Sequence, residues 1–371
     1  GSGATLSKSG AGTLTLSGIN TYTGSTTISA GTLALSGAGS IASASGITNN
    51  SNFDISGTTS GASVVSLAGS GTTVLGTKTL TITNATGTLS GEISGSGNIV
   101  LTTGTQTFSG ANTYSGGTTI NSGATVTISS DSNLGASAGD LILNGGTLGI
   151  DGSVAAFSST SRAIYVNTSG TINNNNSYGT NATSVTFGGT ISALTNNAIL
   201  TFNSADATHH TSLDGLLRDA TGPPSATLSI VQSGTNQLIF NRANTYTGTT
   251  SVNSGQVKVG INAALGTGSV TVASGAALDL NGKTITNDLS LAGTGVSASG
   301  ALFNSSTSSA TASGNITLTT NTTIKGSGDL ILSGAINGVF GLTISNGSYA
   351  IQLGAIGSTS ALTSLTLQGT G

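Results

Sequence analysis

The strongest constraint on the fold of this chain is the shortness of its strand-forming segments. Apolar residues alternate with Thr or Ser in runs of about three to five residues, such as 13–16, 141–143 and 270–272, and Gly, Asn or Ser follows nearly every run. Strands this short are unstable alone, but stacking each one on the same strand of the next coil pairs its backbone groups and buries an inner stripe. The pattern therefore predicts an all-β chain: a right-handed parallel β-helix (β-solenoid) that forms a single elongated rod over residues 1–371.

Three other interpretations of this pattern are weaker. Disordered chains combine low hydrophobicity with high net charge, but here 35% of the residues are hydrophobic and the mean hydropathy is +0.22. A β-sandwich of this length would need about two or three domains, and no linker or change of composition separates any. A β-propeller would show aromatic signatures about every 40 to 50 residues, and the chain has no Trp.

The scarcity of charge also fits a stack of coils. Only 5% of the 371 residues are charged, against about 25% in an ordinary soluble domain. Coils about 4.8 Å apart place like residues above one another, so stacked charges would repel, whereas Thr and Asn can hydrogen-bond along the stack. The net charge is −3 and the eight Lys and Arg residues are scattered, which argues against a nucleic-acid partner.

The absence of cysteine suits a secreted protein, and the start of the chain suggests a piece of a longer precursor. The chain has no Cys, which suits a protein that crosses an oxidising compartment unfolded. Residues 1–4 do not begin a signal peptide, and no apolar run approaches the roughly 18 residues that a membrane-spanning helix needs. We therefore interpret the chain as a piece of a longer secreted precursor.

Three segments of the sequence repeat one another. Residues 12–35 (GTLTLSGINTYTGSTTISAGTLAL), 104–128 (GTQTFSGANTYSGGTTINSGATVTI) and 234–259 (GTNQLIFNRANTYTGTTSVNSGQVKV) align on an Asn-Thr-Tyr motif. After the second and third copies, a Leu-Gly bend at 134–135 or 265–266 leads into further strands. The larger repeating unit is thus several short strands joined by turns, which is typical of stacked repeats.

The spacing of the motifs indicates the length of one coil. Tyr114 follows Tyr22 by 92 residues and Tyr246 follows Tyr114 by 132, and both distances are near multiples of about 22 residues. Coils of this length would give roughly 17 coils over the chain. In the third copy, Phe-Asn-Arg at 240–242 replaces the Leu-Ser-Gly step and Ser-Val at 251–252 replaces Thr-Ile, so we expect a less regular coil there.

The three segments closely resemble the passenger-associated transport repeat of bacterial autotransporters, and the stretch with the Leu-Gly bend is similar to what succeeds that repeat in these proteins. The repeats cover about a fifth of the chain. The resemblance implies an autotransporter passenger domain exported by type V secretion. It also implies a partner, the outer-membrane β-barrel translocator of the full-length protein, and a location outside the cell or at the bacterial cell surface.

The densest cluster of chemically versatile side chains comprises Asp206, His209, His210, Asp214, Arg218 and Asp219. Such a cluster could bind a metal or act in acid–base chemistry. Adjacent histidines on a strand point to opposite faces, so a shared metal is disfavoured, and ligand binding by a loop is favoured over catalysis. A hydrated insertion with a purely structural role is the preferred interpretation of the cluster.

The segment 204–225, which contains this cluster, departs from the surrounding pattern. Pro223 and Pro224 cannot donate hydrogen bonds within a sheet, and three leucines between residues 213 and 217 suggest a short helix. We therefore expect the segment to leave the rod as a protruding loop or helix, with its leucines packed on the flank of the rod. Regular coils should resume by residues 226–230.

An enzyme on the same scaffold is the alternative function, because polysaccharide lyases and hydrolases also use parallel β-helices. Such enzymes need carboxylates clustered on one face. Asp131 and Asp151 are about one coil apart, and Arg162 follows them. The remaining acids outside residues 204–225 are spread along the chain: Asp54, Glu92, Asp140, Asp279, Asp288 and Asp329. We therefore predict that the chain is not an enzyme and assign no catalytic residue, no metal-binding residue and no cofactor.

Two further motifs suggest structure rather than chemistry. The tyrosine of each Asn-Thr-Tyr motif is predicted to cover a corner of a coil beside a glycine-rich turn, although an exposed tyrosine would also suit an interface. The asparagine run at residues 173–176 is predicted to form a polar loop or an asparagine ladder. Together the observations favour a surface stalk, adhesin or self-associating structural protein, whose partner would be a host surface, a polysaccharide or another copy of the chain.

Overall fold

The computed structural model describes residues 3–151, 158–159, 161–175, 185–204, 209–220 and 226–369. The structure is all-β, and its parallel strands form a β-solenoid of about 16 turns, which confirms the predicted fold class. Within the described ranges, the helical elements are two short 3₁₀ turns at Asp131–Leu134 and Val296–Ala298. No helix in those ranges has the length and apolar character needed to cross a membrane.

The strands group into two compact units, Gly1–Asn173 and Asn174–Gly371. In chain order the strands are β1 (Leu6–Lys8), β2 (Thr13–Leu16), β3 (Thr26–Ile28), β4 (Thr32–Gly37), β5 (Ile47–Asn49), β6 (Asn52–Thr58), β7 (Ala62–Val64), β8 (Leu67–Ala68), β9 (Thr72–Val74), β10 (Leu80–Ile82), β11 (Ala85–Leu89), β12 (Ile93–Ser94), β13 (Ile99–Leu101), β14 (Gly104–Phe108), β15 (Thr118–Asn121), β16 (Ala124–Ile128), β17 (Leu141–Asn144), β18 (Thr147–Asp151), β19 (Ser158–Ser159), β20 (Ile164–Val166) and β21 (Ser169–Asn175). They continue as β22 (Val185–Phe187), β23 (Ile191–Ala193), β24 (Ala198–Asn203), β25 (His210–Leu213), β26 (Leu217–Arg218), β27 (Leu228–Gln232), β28 (Gln237–Phe240), β29 (Thr250–Val252), β30 (Gln256–Val259), β31 (Val270–Val272), β32 (Ala277–Asp279), β33 (Thr284–Ile285), β34 (Leu289–Gly293), β35 (Leu302–Asn304), β36 (Ala310–Ala312), β37 (Ile316–Gly326), β38 (Leu330–Leu332), β39 (Ile336–Asn337), β40 (Gly341–Ser345), β41 (Ile351–Leu353) and β42 (Ser364–Gln368).

In the unit Gly1–Asn173, each coil lays its strands beside those of the preceding coil. Leu14 of β2 pairs with Leu33 of β4, and Leu33 pairs with Phe53 of β6. Leu33 and Phe53 are fully buried. Because successive strand residues point to opposite faces, the apolar residues that alternate in the sequence form one inward column.

In the unit Asn174–Gly371, the same arrangement produces an unbroken apolar column. Leu238 of β28, Val257 of β30, Leu278 of β32 and Leu302 of β35 pair in succession, and all four side chains are fully buried. Burying such side chains stabilises the fold by about 1.5–3 kcal/mol each relative to leaving them exposed. The core is therefore a stripe that runs from coil to coil.

The length of one coil varies more than the spacing of the motifs suggested. Ala62 pairs with Leu80, 18 residues later, whereas Ala198 pairs with Leu228, 30 residues later. The pairing remains parallel in both places, so the additional residues of a wide coil lie in the connections between strands. The predicted length of about 22 residues falls within this range.

The expected protrusion of the segment 204–225 is not found over residues 209–220, and the structure corrects that expectation there. Strand β25 pairs in parallel with β22 and β28, and β26 pairs in parallel with β23. Leu213 and Leu217 are fully buried. The leucine spacing that suggested a helix instead places inward residues on two short strands joined by a turn.

The remainder of that segment, residues 205–208 and 221–225, lies outside the described residues. Asp206, Pro223 and Pro224 belong to it. A protrusion at these residues stays a prediction, as does a single rod over residues 1–371.

The third repeat forms a regular coil, contrary to expectation. Strands β28 and β30 pair over four residues without a shift of register. Phe240, whose size suggested an irregular coil, is fully buried and pairs with Leu213 on one side and Val259 on the other. A large inward side chain is therefore accommodated without disturbing the pairing.

Candidate functional site

Each repeat builds a corner around the tyrosine of its Asn-Thr-Tyr motif. The hydroxyl groups of Tyr114 and Tyr246 lie 2.6 Å from the Oγ1 atoms of Thr118 and Thr250, four residues later. Both tyrosines are 0% exposed, and burial raises the pKa of Tyr114 to about 12, while the hydrogen bond with Thr118 opposes this shift. Burial also raises the pKa of Tyr246. These tyrosines are thus neutral structural groups, as the sequence predicted.

The asparagine of the motif connects three coils in the second and third repeats. Oδ1 of Asn112 accepts a hydrogen bond of 2.7 Å from the backbone N–H of Ile93, and its Nδ2 donates one of 2.6 Å to the carbonyl of Asn133. Asn244 repeats the arrangement with the N–H of Leu217 (2.8 Å) and the carbonyl of Ala264 (2.7 Å). Each amide therefore joins the preceding coil to the following one.

A Leu-Gly turn of the following coil covers each of these tyrosines. Gly135 and Gly266 have φ values of +79° and +60°. A Cβ atom at either glycine would lie 2.3 Å from the carbonyl oxygen and 3.1 Å from the ring carbons of the tyrosine below, Tyr114 or Tyr246. The contact and the left-handed backbone both require glycine. The preceding residue of each turn, Leu134 or Leu265, is fully buried.

A polar side chain of the next coil completes both corners. Arg162 is 2% exposed and donates from one Nη to the carbonyl of Gly135 (2.9 Å) and from the other to the carbonyl of Gly139. Asn287 plays the same part in the third repeat, donating from Nδ2 to the carbonyls of Gly266 (3.2 Å) and Gly268 (2.7 Å). An arginine and an asparagine thus serve the same purpose in two repeats.

The corner of the first repeat is open. The hydroxyl of Tyr22 again lies 2.6 Å from a threonine, Thr26, but its ring is only half-buried. The N–H of Asn20 donates to the carbonyl of Ser40, and in the second repeat the N–H of Asn112 donates to the carbonyl of Ser132. Because Gly135 lies three residues after Ser132, its counterpart in the first repeat is Ser43, three residues after Ser40. Ala42 replaces the leucine of the turn. No Leu-Gly turn therefore covers this tyrosine.

The predicted acidic pair is divided by the structure. Arg162 donates from Nε to Oδ1 of Asp131 over 2.9 Å, and its other N–H groups bind backbone carbonyls. Asp151 instead lies at the exposed end of β18, one residue beyond Ile150, which pairs with Ile128. Asp131 therefore belongs to an ion pair with the buried Arg162 that supports a corner.

The two histidines lie beside a groove of about 240 Å³ that Thr235, Asn236, Gln237, Gln256 and Val296 also line. His209 is buried and His210 is half-buried. Burial lowers the pKa of His210, and electrostatic repulsion involving His209 and Lys258 lowers it further. Besides the two histidines, the groove is lined mainly by amide side chains.

Two acids of the predicted cluster, Asp214 and Asp219, accept hydrogen bonds from the following coil. Asp214 accepts from the hydroxyl of Ser212 (2.6 Å) and from Nδ2 of Asn241 (3.0 Å). Asp219 accepts from the hydroxyl (2.6 Å) and the N–H of Thr247 on the following coil. Among the described residues, no group of three His, Cys, Asp or Glu side chains could hold a metal ion.

The predicted asparagine run contributes a buried group, and an asparagine ladder occurs elsewhere. Asn174 is 2% exposed and donates to Oγ1 of Thr211 over 3.3 Å, whereas Asn176 lies outside the described residues. The ladder comprises Asn121, Asn144 and Asn167. Nδ2 of each later asparagine donates to Oδ1 of the one before, over 2.8 and 2.9 Å.

The sequence interpretation located the tyrosines but not the glycines, Arg162 or Asn287 as parts of the corners. The available signal was spacing: Gly135 follows Tyr114 by 21 residues and Gly266 follows Tyr246 by 20, close to one coil. Arg162 and Asn287, which support these turns from the next coil, carried no such signal, because the two residues differ in type.

Comparison with known proteins identifies the repeated segments. Residues 6–35, 103–128 and 230–259 match the family model of the passenger-associated-transport-repeat, and each match contains one corner tyrosine. The searches of curated proteins and of solved structures gave no match. The three repeats and the β-solenoid fit an autotransporter passenger.

Proposed function

We propose that this chain, which carries three passenger-associated transport repeats on a parallel β-solenoid and so matches an autotransporter passenger, acts outside the cell as a surface stalk and adhesin. The family implies a translocator partner and export across the outer membrane to the cell surface. In this proposal the coils serve to display binding faces, and the chain turns over no substrate.

The observation that supports a stalk is the use of polar side chains between coils. Asn112 joins three coils, and Asp219 joins two. The ladder of Asn121, Asn144 and Asn167 adds side-chain bonds along another line. Such bonds reinforce the backbone pairing between neighbouring coils. A stalk needs this reinforcement because it must resist separation of its coils.

The ion pair with Arg162 supports a structural rather than a catalytic use of Asp131. Glycosidases use two carboxyl groups that flank the bond to be cleaved, one of which donates a proton. The carboxylate of Asp131 is held by Arg162, whose remaining donors bind backbone carbonyls. This arrangement fixes the Leu-Gly turn over Tyr114.

Surface display tests the adhesive role. The chain is fused to an outer-membrane translocator in a bacterium that does not adhere, and cells with the translocator alone are the control. Cells that display the passenger should bind polysaccharide-coated surfaces, host cells or one another more strongly than control cells. Equal binding to all three by both strains would contradict the adhesive role.

A turnover screen separates the stalk from the alternative enzyme. The purified chain is incubated with plant, host and bacterial polysaccharides, and reducing ends are measured. No release is expected. Reproducible release that is abolished in Asp131→Ala or Asp151→Ala, with an unchanged far-ultraviolet circular dichroism spectrum, would establish the enzyme instead.

A further inference from the structure

Seven threonines form two straight columns on the outer face of four neighbouring strands, β11, β14, β16 and β18. The first column is Thr86, Thr105, Thr125 and Thr147, and the second is Thr88, Thr107 and Thr127. The pairing of these strands shows no shift of register. We call this surface the threonine face.

The side chains between the two columns point into the core and fix the orientation of the face. Gln106, Val126 and Leu148 occupy the intervening positions of β14, β16 and β18, and all three are buried. The threonines on either side therefore point outward. Thr86, Thr88 and Thr105 are exposed, and the other four are half-buried by their neighbours in the columns.

The hydroxyl groups of the threonine face have no partner within the described part of the protein. None of the seven hydroxyl groups forms a hydrogen bond with a described residue, whereas the hydroxyl of Thr118 on β15 pairs with Tyr114. Among the described residues, these hydroxyls are therefore available to water or to a ligand.

The face presents these hydroxyls on a regular net. The rows are about 4.8 Å apart between coils, and the columns are about 6.6 Å apart, twice the rise per residue of a parallel strand. Threonine is β-branched, so restricted rotation about χ1 keeps each hydroxyl and methyl group in a defined place. Oxygen atoms on a prism face of hexagonal ice also form a rectangular net, with repeats of the same order.

We propose that the threonine face binds the surface of ice crystals. The hydroxyls would take the positions of water molecules in the ice surface. The methyl groups would fill the spaces between rows and displace the poorly ordered water that lies there. The only charged residue on the four strands is Asp151, at the far end of β18. The columns thus carry no ion that would impose its own hydration shell and no aromatic ring of the kind that stacks on ligand rings.

This activity goes beyond the proposed role as a stalk and adhesin and does not depend on it. A chain that adheres to cells or polysaccharides need not bind ice, and the converse also holds. Failure of the ice measurements would leave the adhesion experiment untouched.

Ice recrystallisation and thermal hysteresis of the full 371-residue chain test the proposal. The chain should suppress the growth of small ice crystals, and Thr107→Lys, at the centre of the face, should raise the concentration needed by about tenfold or more. Thr119→Lys is the matched control, since Thr119 lies on β15 of the same coil but on another sheet. It should behave like the parent chain.

Circular dichroism checks that each variant is folded. If Thr107→Lys does not fold, Thr105→Lys replaces it, because Thr105 is exposed. No suppression by the parent chain would overturn the proposal, and so would equal losses in the variants of the threonine face and in Thr119→Lys. Binding of the parent chain to a crystalline polysaccharide without any effect on ice would overturn it as well and would assign the face to a glycan.

Discussion

The first repeat and the two later ones contain the same Asn-Thr-Tyr motif but build different corners. In all three, the tyrosine hydroxyl lies 2.6 Å from a threonine four residues later. Tyr114 and Tyr246 are fully buried beneath a Leu-Gly turn, whereas Tyr22, which lies in the first described coil and has Ala42 and Ser43 in place of that turn, is half-buried. The motif therefore sets the local geometry, and the neighbouring coils decide whether the tyrosine joins the core.

Truncation of the tyrosine should separate the two kinds of corner most clearly. Tyr246→Ala leaves a cavity in the core and should lower the free energy of unfolding by about 3–5 kcal/mol. Tyr22→Ala removes a half-buried ring and should lower it by roughly half as much or less. Urea unfolding followed by circular dichroism measures both. Equal losses would mean that the Leu-Gly turn contributes little.

The glycine of the turn is the next test. Gly135→Ala places a Cβ atom against the carbonyl oxygen of Tyr114 and keeps a left-handed backbone, so the free energy of unfolding should fall by about 2–3 kcal/mol. Ser43→Ala, at the matching position of the first repeat, should change it by less than about 0.5 kcal/mol. A tolerated alanine at residue 135 would show that the corner is not closely packed.

Alkaline pH should weaken a covered corner. Above pH 10.0, the ordinary pKa of tyrosine, the unfolded chain loses the phenol proton, while folded Tyr114 keeps it until about pH 12. The stability contributed by the neutral phenol is therefore present below pH 10.0 and lost as pH rises towards about 12, by about 2–3 kcal/mol.

The matched variant for this titration is Tyr114→Phe, which has no proton to lose. Its unfolding midpoint should fall less than that of the parent chain between about pH 9 and pH 11.5. Tyr22→Phe should give a smaller difference, since solvent screens the half-buried phenol. The same pH dependence in the parent chain and in Tyr114→Phe would refute a titrating buried phenol.

The bridging asparagine offers a smaller contrast. Asn112→Ala removes two hydrogen bonds and leaves the N–H of Ile93 and the carbonyl of Asn133 without partners, which should destabilise the fold by about 2 kcal/mol. Asn20→Ala removes bonds to the carbonyls of Ser40 and Gly18 near the surface and should cost about 0.5–1 kcal/mol. Unfolding midpoints would distinguish the two, and the opposite order would contradict the role of Asn112 as a bridge.

Transplanting the turn should give the smallest effect. Ala42→Leu combined with Ser43→Gly places a Leu-Gly turn after Tyr22 and should stabilise the fold by about 0.5–1 kcal/mol as more of the ring is buried. Acrylamide quenching of tyrosine fluorescence should decrease together with this gain. Ala42→Leu alone is the control, and an identical result for both variants would show that the glycine is dispensable there.

Much of the architecture followed from the sequence, because alternation along short strands is a local property. The buried columns agree with those predictions, as does the position of Tyr114 and Tyr246 at corners of the coils. The position of residues 209–220 did not follow, because three leucines in five residues suit either a helix or two short inward-facing strands. Pairing with neighbouring coils decided the outcome.

The contacts between coils were harder to predict because coil length is not constant. Gly135 lies 21 residues after Tyr114, but other paired residues are 18 or 30 apart, so no fixed period aligns all the coils. Arg162 and Asn287 perform one task with different chemistry, which no repeat search would relate. The threonine face has a recognisable Thr-x-Thr pattern, but only the register places its members in columns.

The modest separation between paired residues has a consequence for how such a chain reaches its fold. Parallel sheets usually close long loops and therefore form slowly, since chain entropy is lost before distant contacts are made. Here, paired residues in the described strands are only 18 to 30 positions apart, however many coils precede them. Each new coil thus pairs with the last folded coil at nearly the same loss of chain entropy as the coil before it. Coils can therefore be added one after another, at a rate that does not fall as the protein lengthens.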